Sequence, residues 1–396
     1  MSKNTKAILS KTARIWLLFG ILFLAINLRP ALSSIGPLID DIGRDLNLTE
    51  SLLGLLTTLP LLAFGFISTI TPFFTKKFGL GRTLLASMVL LTLGILIRSS
   101  GGVFALYFGT MLLGIAIAFG NVSIPAITKS NFPNKAGLVT SLHSASMSLG
   151  AGLAAGLSVP LAKNLNLGWR GSLSVWAALA VMAFFIWIPQ IKKIKNTTPT
   201  RGLKEAMKKL SSSRLVWQIA IYMGLQSFAF YVMLAWLPSI LIDYGYNAEF
   251  GGWMLSLSQA TGILGALIIP IWAASRKDQR AVVAFLILFE IISFIGLMLP
   301  AFIPIYIWVS ILGFVLGGAF SLALLLIVLR APDSETAAEL SGLVQSIGYF
   351  LAAIGPFLIG VIQDFTKEWM YSLGLLILVA IYKLIAGLQA GKAQKV

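Results

Sequence analysis

The sequence has no cysteine and a single histidine, His143. Disulfides, thiolate nucleophiles and cysteine-held metals are therefore excluded, and one histidine is too few for a histidine-built metal site. Charge is scarce too: Asp, Glu, Lys and Arg make up 11% of the 396 residues, where an ordinary soluble domain has about 25%. Acids are the scarcer sign, 14 against 30 Lys and Arg. With 58% hydrophobic residues in place of that missing charge, a soluble enzyme of this size is excluded.

The apolar residues are gathered into runs. Twelve segments are long enough to span a bilayer, at roughly 15–37, 50–75, 82–99, 102–128, 137–161, 171–190, 214–240, 249–274, 281–300, 304–330, 338–362 and 370–390. The fold class is thus an all-α membrane protein, and the third, sixth, ninth and twelfth spans are the shortest. Lys3, Lys6 and Lys11 precede the first span as they would a signal peptide. That span runs on through Arg29-Pro30 with no small-residue cleavage site, so it reads as a helix.

The one long polar stretch, 191–213, carries Lys192, Lys193, Lys195, Arg201, Lys204, Lys208 and Lys209 and splits the spans six and six. It divides the chain into an N-terminal bundle (1–190), a cytoplasmic linker (191–213) and a C-terminal bundle (214–396). With the N-terminus inside, 24 of the basic residues fall in inner segments and five in outer loops, Arg98 counted with the loops and Lys383 with the C-terminal segment. Arg29 lies within a span. This bias places both termini in the cytoplasm of a multi-pass protein of the cell membrane. The positive excess is therefore a topology signal, and no nucleic-acid partner is expected.

Sliding the chain on itself by about 200 residues aligns several features. Gly137-Leu-Val-Thr-Ser141, leading to Gly150, matches Gly342-Leu-Val-Gln-Ser346, leading to Gly355. Pro72 to Arg82 matches Pro270 to Arg280, Lys129 matches Arg330, and Glu50 matches Glu249. Six helices repeated in one orientation form a parallel repeat about an axis along the membrane normal.

This arrangement resembles the major facilitator superfamily, whose substrate site lies between two bundles that rock about it. The loop after the second span, Pro72 to Arg82, keeps that superfamily's glycine and basic residues but has Lys76 where an acid is usual. More specific strings are Asn27-Leu-Arg-Pro30, Gly54-Leu-Leu-Thr-Thr-Leu-Pro60, Gly120-Asn121 with Pro125, Trp236-Leu-Pro238, Lys277-Asp-Gln-Arg280 and Ser341-Gly-Leu-Val-Gln345-Ser-Ile-Gly-Tyr349. Together they resemble the cyanate and 2-nitroimidazole porters, which implies a small polar or anionic substrate moved by rocker-switch alternating access.

Arg29 is the central candidate. About fourteen residues into the first span it is deep in the hydrocarbon region, where a guanidinium stays charged and must face a partner or a wet cavity. Its planar fork suits a cyanate, carboxylate or nitro group, and Pro30 removes a backbone donor beside it. A structural arginine bonded to nearby carbonyls is the alternative. Around it the superfamily's cavity helices offer Thr58, Asn121, Gln226, Tyr231, Trp236, Gln259, Gln345 and Tyr349 as substrate-binding candidates; each could equally be a helix-packing contact.

His143, titratable near neutrality, is a candidate for both binding and coupling. Glu290, the acid deepest in a span, is the other coupling candidate; the superfamily puts its helix at the periphery, which favours a structural role. Gly150, Gly152 and Gly156 with Gly262 and Gly265 predict a close fifth-to-eighth helix interface. Asp40, Asp41 and Asp45 beside Arg44 read as a solvated face, with a gate through Arg170 or Lys163 as the alternative.

A membrane-embedded enzyme would need nucleophiles or acid–base pairs that this composition hardly supplies. An ATP-driven pump would need a phosphate-binding loop, and none occurs. A transporter-like sensor would need a signalling domain that the 23-residue linker cannot hold. The serious alternative is a drug exporter of the same fold. The expected protein has no cofactor and no metal, is a lipid-embedded monomer, and takes a small molecule as substrate with protons as candidate coupling ion.

Overall fold

The computed structural model describes residues 11–132, 136–193, 208, 210–299, 303–331 and 334–396. Twelve helices in it are long and apolar enough to cross a membrane, and no strand occurs among the described residues. The first, α1, is broken into Lys11–Asn27, Pro30–Ser33 and Ile39–Leu46. Then follow α2 (Glu50–Phe78), α3 (Leu80–Ser100), α4 (Val103–Asn131), α5 (Ala136–Val159), α6 (Gly168–Trp187), α7 (Arg214–Asp243), α8 (Ala248–Ala274), α9 (Arg280–Met298), α10 (Ile305–Arg330), α11 (Ser334–Thr366) and α12 (Trp369–Ala390). Most of the linker, Lys129's side chain and that of Lys76 lie outside the described residues.

Local sequence sets the ends. Thr49 caps α2 by accepting from Leu52 N at 3.4 Å, and Asn247 caps α8 by accepting from Phe250 N at 2.8 Å; a side-chain oxygen here satisfies a backbone donor that the first helical turn leaves free. One residue, Gly79 at φ +83°, joins α2 to α3, a conformation that only glycine adopts cheaply. In the loop before α9, Asp278 accepts from both the backbone N and Nε of Arg280 at 2.8 and 2.7 Å. Those bonds hold its carboxyl below the usual range.

The repeat is visible in which helices touch. Within the first six, α1 packs on α5 and α6, α2 on α4, and α3 on α4 and α6. The last six reproduce each contact: α7 on α11 and α12, α8 on α10, and α9 on α10 and α12. Between the two sets the main seams are α2 with α11 and α5 with α8, again a symmetric pair.

The two halves are joined closely at the face opposite the chain termini. Asp364 on α11 accepts from the N–H groups of Glu50 and Ser51 at 3.0 and 2.9 Å, and from the Ser51 hydroxyl. A carboxylate thus sits on the positive N-terminus of α2. Ser239 on α7 donates to Asp40 at 3.1 Å, and Thr58 donates to the Ala353 carbonyl at 2.7 Å. The described contacts of the α2–α11 seam continue to Ser346, whose hydroxyl donates to the Gly65 carbonyl at 3.2 Å.

Three sequence expectations are corrected here. Arg98 and Lys383, counted with loop and terminal segment, are both fully buried within spans. Asp45 pairs with Arg170 at 2.7 Å and Asp41 with Lys163 at 3.9 Å, but all four belong to the first six helices, so these pairs latch nothing between the halves. Of the glycines, Gly152 and Gly156 do meet Ser256 and Trp253 of α8, while Gly262 and Gly265 meet Gly313 and Phe314 of α10 instead. The α8–α10 contact is the counterpart in the last six helices of α2 on α4.

A candidate substrate site at the break in the first helix

Arg29 stands at the interruption in α1. Leu28 N turns back to the Ala25 carbonyl at 3.1 Å, a three-residue rather than four-residue step, and Pro30 has no N–H to offer Ile26. The Asn27 amide donates to the Phe23 carbonyl at 2.8 Å and closes off the first piece of the helix. Released from helical register, the Arg29 side chain crosses toward α7. Its guanidinium carbon lies 4.9 Å from the Phe230 ring centre and 5.5 Å from that of Tyr231, within the range of a cation–π contact. Its Nη1 is buried without a hydrogen-bond partner.

The surroundings are aromatic and polar in turn. Tyr349 of α11 is within electrostatic reach of both Arg29 and Tyr231, and packs edge-on against Phe64 of α2 at 5.4 Å. His143 of α5 is buried, lies in the field of Arg29, and has its Nε2 unpartnered. The structure therefore brings four helices, α1, α5, α7 and α11, to one guanidinium. Two flat faces and the unpartnered His143 Nε2 lie around it, and none of the interactions described for Arg29 is with a carboxylate.

The other candidates separate by what they touch. Gln345, one turn before Tyr349, donates to the Ser341 hydroxyl at 2.7 Å. Asn121 is half-buried on α4, next to Gly120, whose bare Cα meets Leu28 of α1. Gln226 is buried one turn below Phe230 and bonds Ser227 Oγ at 2.7 Å, leaving its own oxygen free.

Three others are committed to seams or core. Trp236 donates to the Pro356 carbonyl at 3.0 Å and lies against Trp369, so it joins α7 to α11 and α12. Thr58 belongs to the α2–α11 seam and Gln259, facing Gly152, to the α5–α8 seam. Glu290 is buried and ion-paired with Lys383 of α12, and acts electrostatically on the Tyr222 hydroxyl. Sequence reasoning missed Lys383 because it lies near the chain end; its position mid-way along an apolar span was the available signal. Phe64 and Phe230 were missed because an aromatic residue in a membrane helix carries no functional mark of its own.

A polytopic helical protein of two like halves, with the half-buried Arg29 guanidinium between them, has the architecture of a secondary transporter. The chain belongs to the major facilitator superfamily, whose family model matches residues 15–356. It is 41% identical to "Uncharacterized transporter YycB" of Bacillus subtilis, over 96% of this chain and 95% of that one. It is 36% identical to the 2-nitroimidazole transporter of Escherichia coli over 98% of each chain, and 28% identical to that organism's cyanate transport protein CynX over 89% and 91%. Among solved structures, the nucleoside transporter NupG superposes with a TM-score of 0.78 at 14% identity, covering 95% of this chain and all of that one.

Proposed function

We propose that this transporter carries a small, flat, polar or anionic molecule, cyanate- or nitroimidazole-like, across the cell membrane by rocker-switch alternating access. The supporting observation is the Arg29 guanidinium, with a bare buried Nη1, against Phe230 and Tyr231 and near Tyr349 and His143. A planar ligand with an electron-rich edge would take the free donor and lie against the rings. Two relatives are named a 2-nitroimidazole transporter and a cyanate transport protein, and both molecules are small and present an electron-rich edge.

The moving parts are the N-terminal bundle 1–190 and the C-terminal bundle 214–396, joined by the cytoplasmic linker 191–213. With both termini cytoplasmic, as the basic residues direct, the sealed face is the outer one. His143 is the coupling candidate nearest the site, while Glu290 already has Lys383 as its counter-ion. Calorimetric titration of the purified protein with 2-nitroimidazole, cyanate and benzoate tests the proposal. Binding of at least one of these, lost in Arg29→Ala, supports it. Failure of all three together with Arg29-independent binding of bulky apolar cations would favour a drug exporter.

A further inference from the structure

Arg98 is a fully buried guanidinium in α3, and among the described residues no carboxylate acts on it. A charge placed so costs free energy that an apolar side chain of the same size would not. Its only described hydrogen bond is from Nη1 to the carbonyl of Ala31, at 2.5 Å, while Nε and Nη2 have no partner. That carbonyl is free for a specific reason. In regular helix it would accept from Ile35 N, but Ile35 N bonds Leu32 O at 3.3 Å, because α1 tightens into a three-residue step after Pro30. The guanidinium thus replaces the donor that the break removed.

We propose that Arg98 is a positioning residue for the transport site: it holds the short segment Pro30–Ser33 by the Ala31 carbonyl and so fixes the direction in which Arg29 leaves α1. The break is then secured on both sides, by Asn27 on the Phe23 carbonyl before it and by Arg98 after it, with Arg29 between. The support is itself rigid. The α3 backbone at Arg98 meets the bare Cα of Gly109 on α4, so no side chain intervenes between the two helices at that level. This assignment rests on Arg29 being the substrate anchor, and its test has one arm that needs no substrate.

The chain has no cysteine, so Arg29→Cys supplies the sole thiol. Its rate of modification by a water-soluble thiosulfonate reports whether position 29 faces the cavity. Adding Arg98→Met should slow modification at least fivefold, and Arg98→Lys, which keeps a donor for Ala31, should restore it. In the second arm, Arg98→Met should weaken binding of 2-nitroimidazole about tenfold in the otherwise native protein, and by less than twofold in the Arg29→Ala background, since residues acting through one contact are not additive.

Unchanged modification in a folded Arg98→Met protein, or an effect on binding that adds fully to Arg29→Ala, would overturn the proposal. If Arg98→Met does not fold, Arg98→Lys decides: modification within twofold of the Arg98 protein supports it, and a larger loss overturns it. If the native protein binds no probe while modification depends on Arg98 as stated, the substrate assignment fails and the positioning role stands.

Discussion

The carbonyl of Ile26 lies against the bare Cα of Gly150, so closely that a methyl group there would collide with the oxygen. The two facts share a cause. Pro30 cannot donate to Ile26, and the carbonyl faces the one residue type that leaves room for it. The repeat places Gly355 of α11 likewise against α7, where its nearest neighbours are the side chains of Val232 and Phe228, at 2.9 and 3.1 Å from a built Cβ.

Gly150→Ala is therefore expected to destabilise the protein by about 1–3 kcal/mol, the usual cost of overpacking. Gly355→Ala should cost less, because side chains yield more readily than a backbone oxygen. Thermal unfolding of both variants in one detergent gives the order, and equal melting temperatures would contradict it.

Removing the guanidinium at position 29 should act on affinity more than on folding. A hydrogen bond to a charged group contributes about 1.5–3 kcal/mol, so Arg29→Ala is expected to weaken binding roughly ten- to a hundredfold. Arg29→Lys, which keeps charge but loses the planar fork, should recover only part. Calorimetry on monodisperse protein measures both, and equal affinity in all three proteins would reduce Arg29 to a packing residue.

The Glu290–Lys383 pair is buried in the last six helices, and no contact between α9 or α12 and the broken α1 is among those described. Breaking such a pair leaves one charge bare at a cost of about 3–5 kcal/mol. Glu290→Gln and Lys383→Met are each expected to lower the melting temperature, and Glu290→Leu combined with Lys383→Met should lower it less than the two single losses together. A Glu290→Gln protein that folds and binds normally but loses pH-driven uptake would instead make Glu290 the coupling acid.

Asp364 holds the N-terminus of α2 across the seam with charge-assisted bonds. Asp364→Asn keeps an acceptor but loses the charge, and should shift the equilibrium toward opening of the sealed face by about tenfold. Spin labels on thiols at positions 44 and 246, both exposed on that face, would read this as a longer-distance population. An unchanged distance distribution would show that the remaining contacts close the seam alone.

Much of this protein could be read without its structure, because crossing a hydrocarbon layer leaves few choices. Every backbone group must be bonded within its own span, so apolar run length alone gives twelve helices, all but the first to within a few residues; the first runs on to Leu46. The repeated strings, such as Gly137 to Gly150 and Gly342 to Gly355, already mark two like halves. Arg29 was legible for the same reason, since a permanent charge in that layer must be held by something.

What the sequence could not determine is which groups meet. Trp236, Thr58 and Gln259 have the composition of site residues, yet each is committed to a seam or to the core. Arg98 was hidden near a span end, where a cation ordinarily reaches water, and Lys383 near the chain end; only the packed helices show that one turns to the Ala31 carbonyl and the other to Glu290. A span is fixed by its own residues, one after another. A partner is fixed by the crossing of helices that lie far apart in the chain, and that is decided only when they pack.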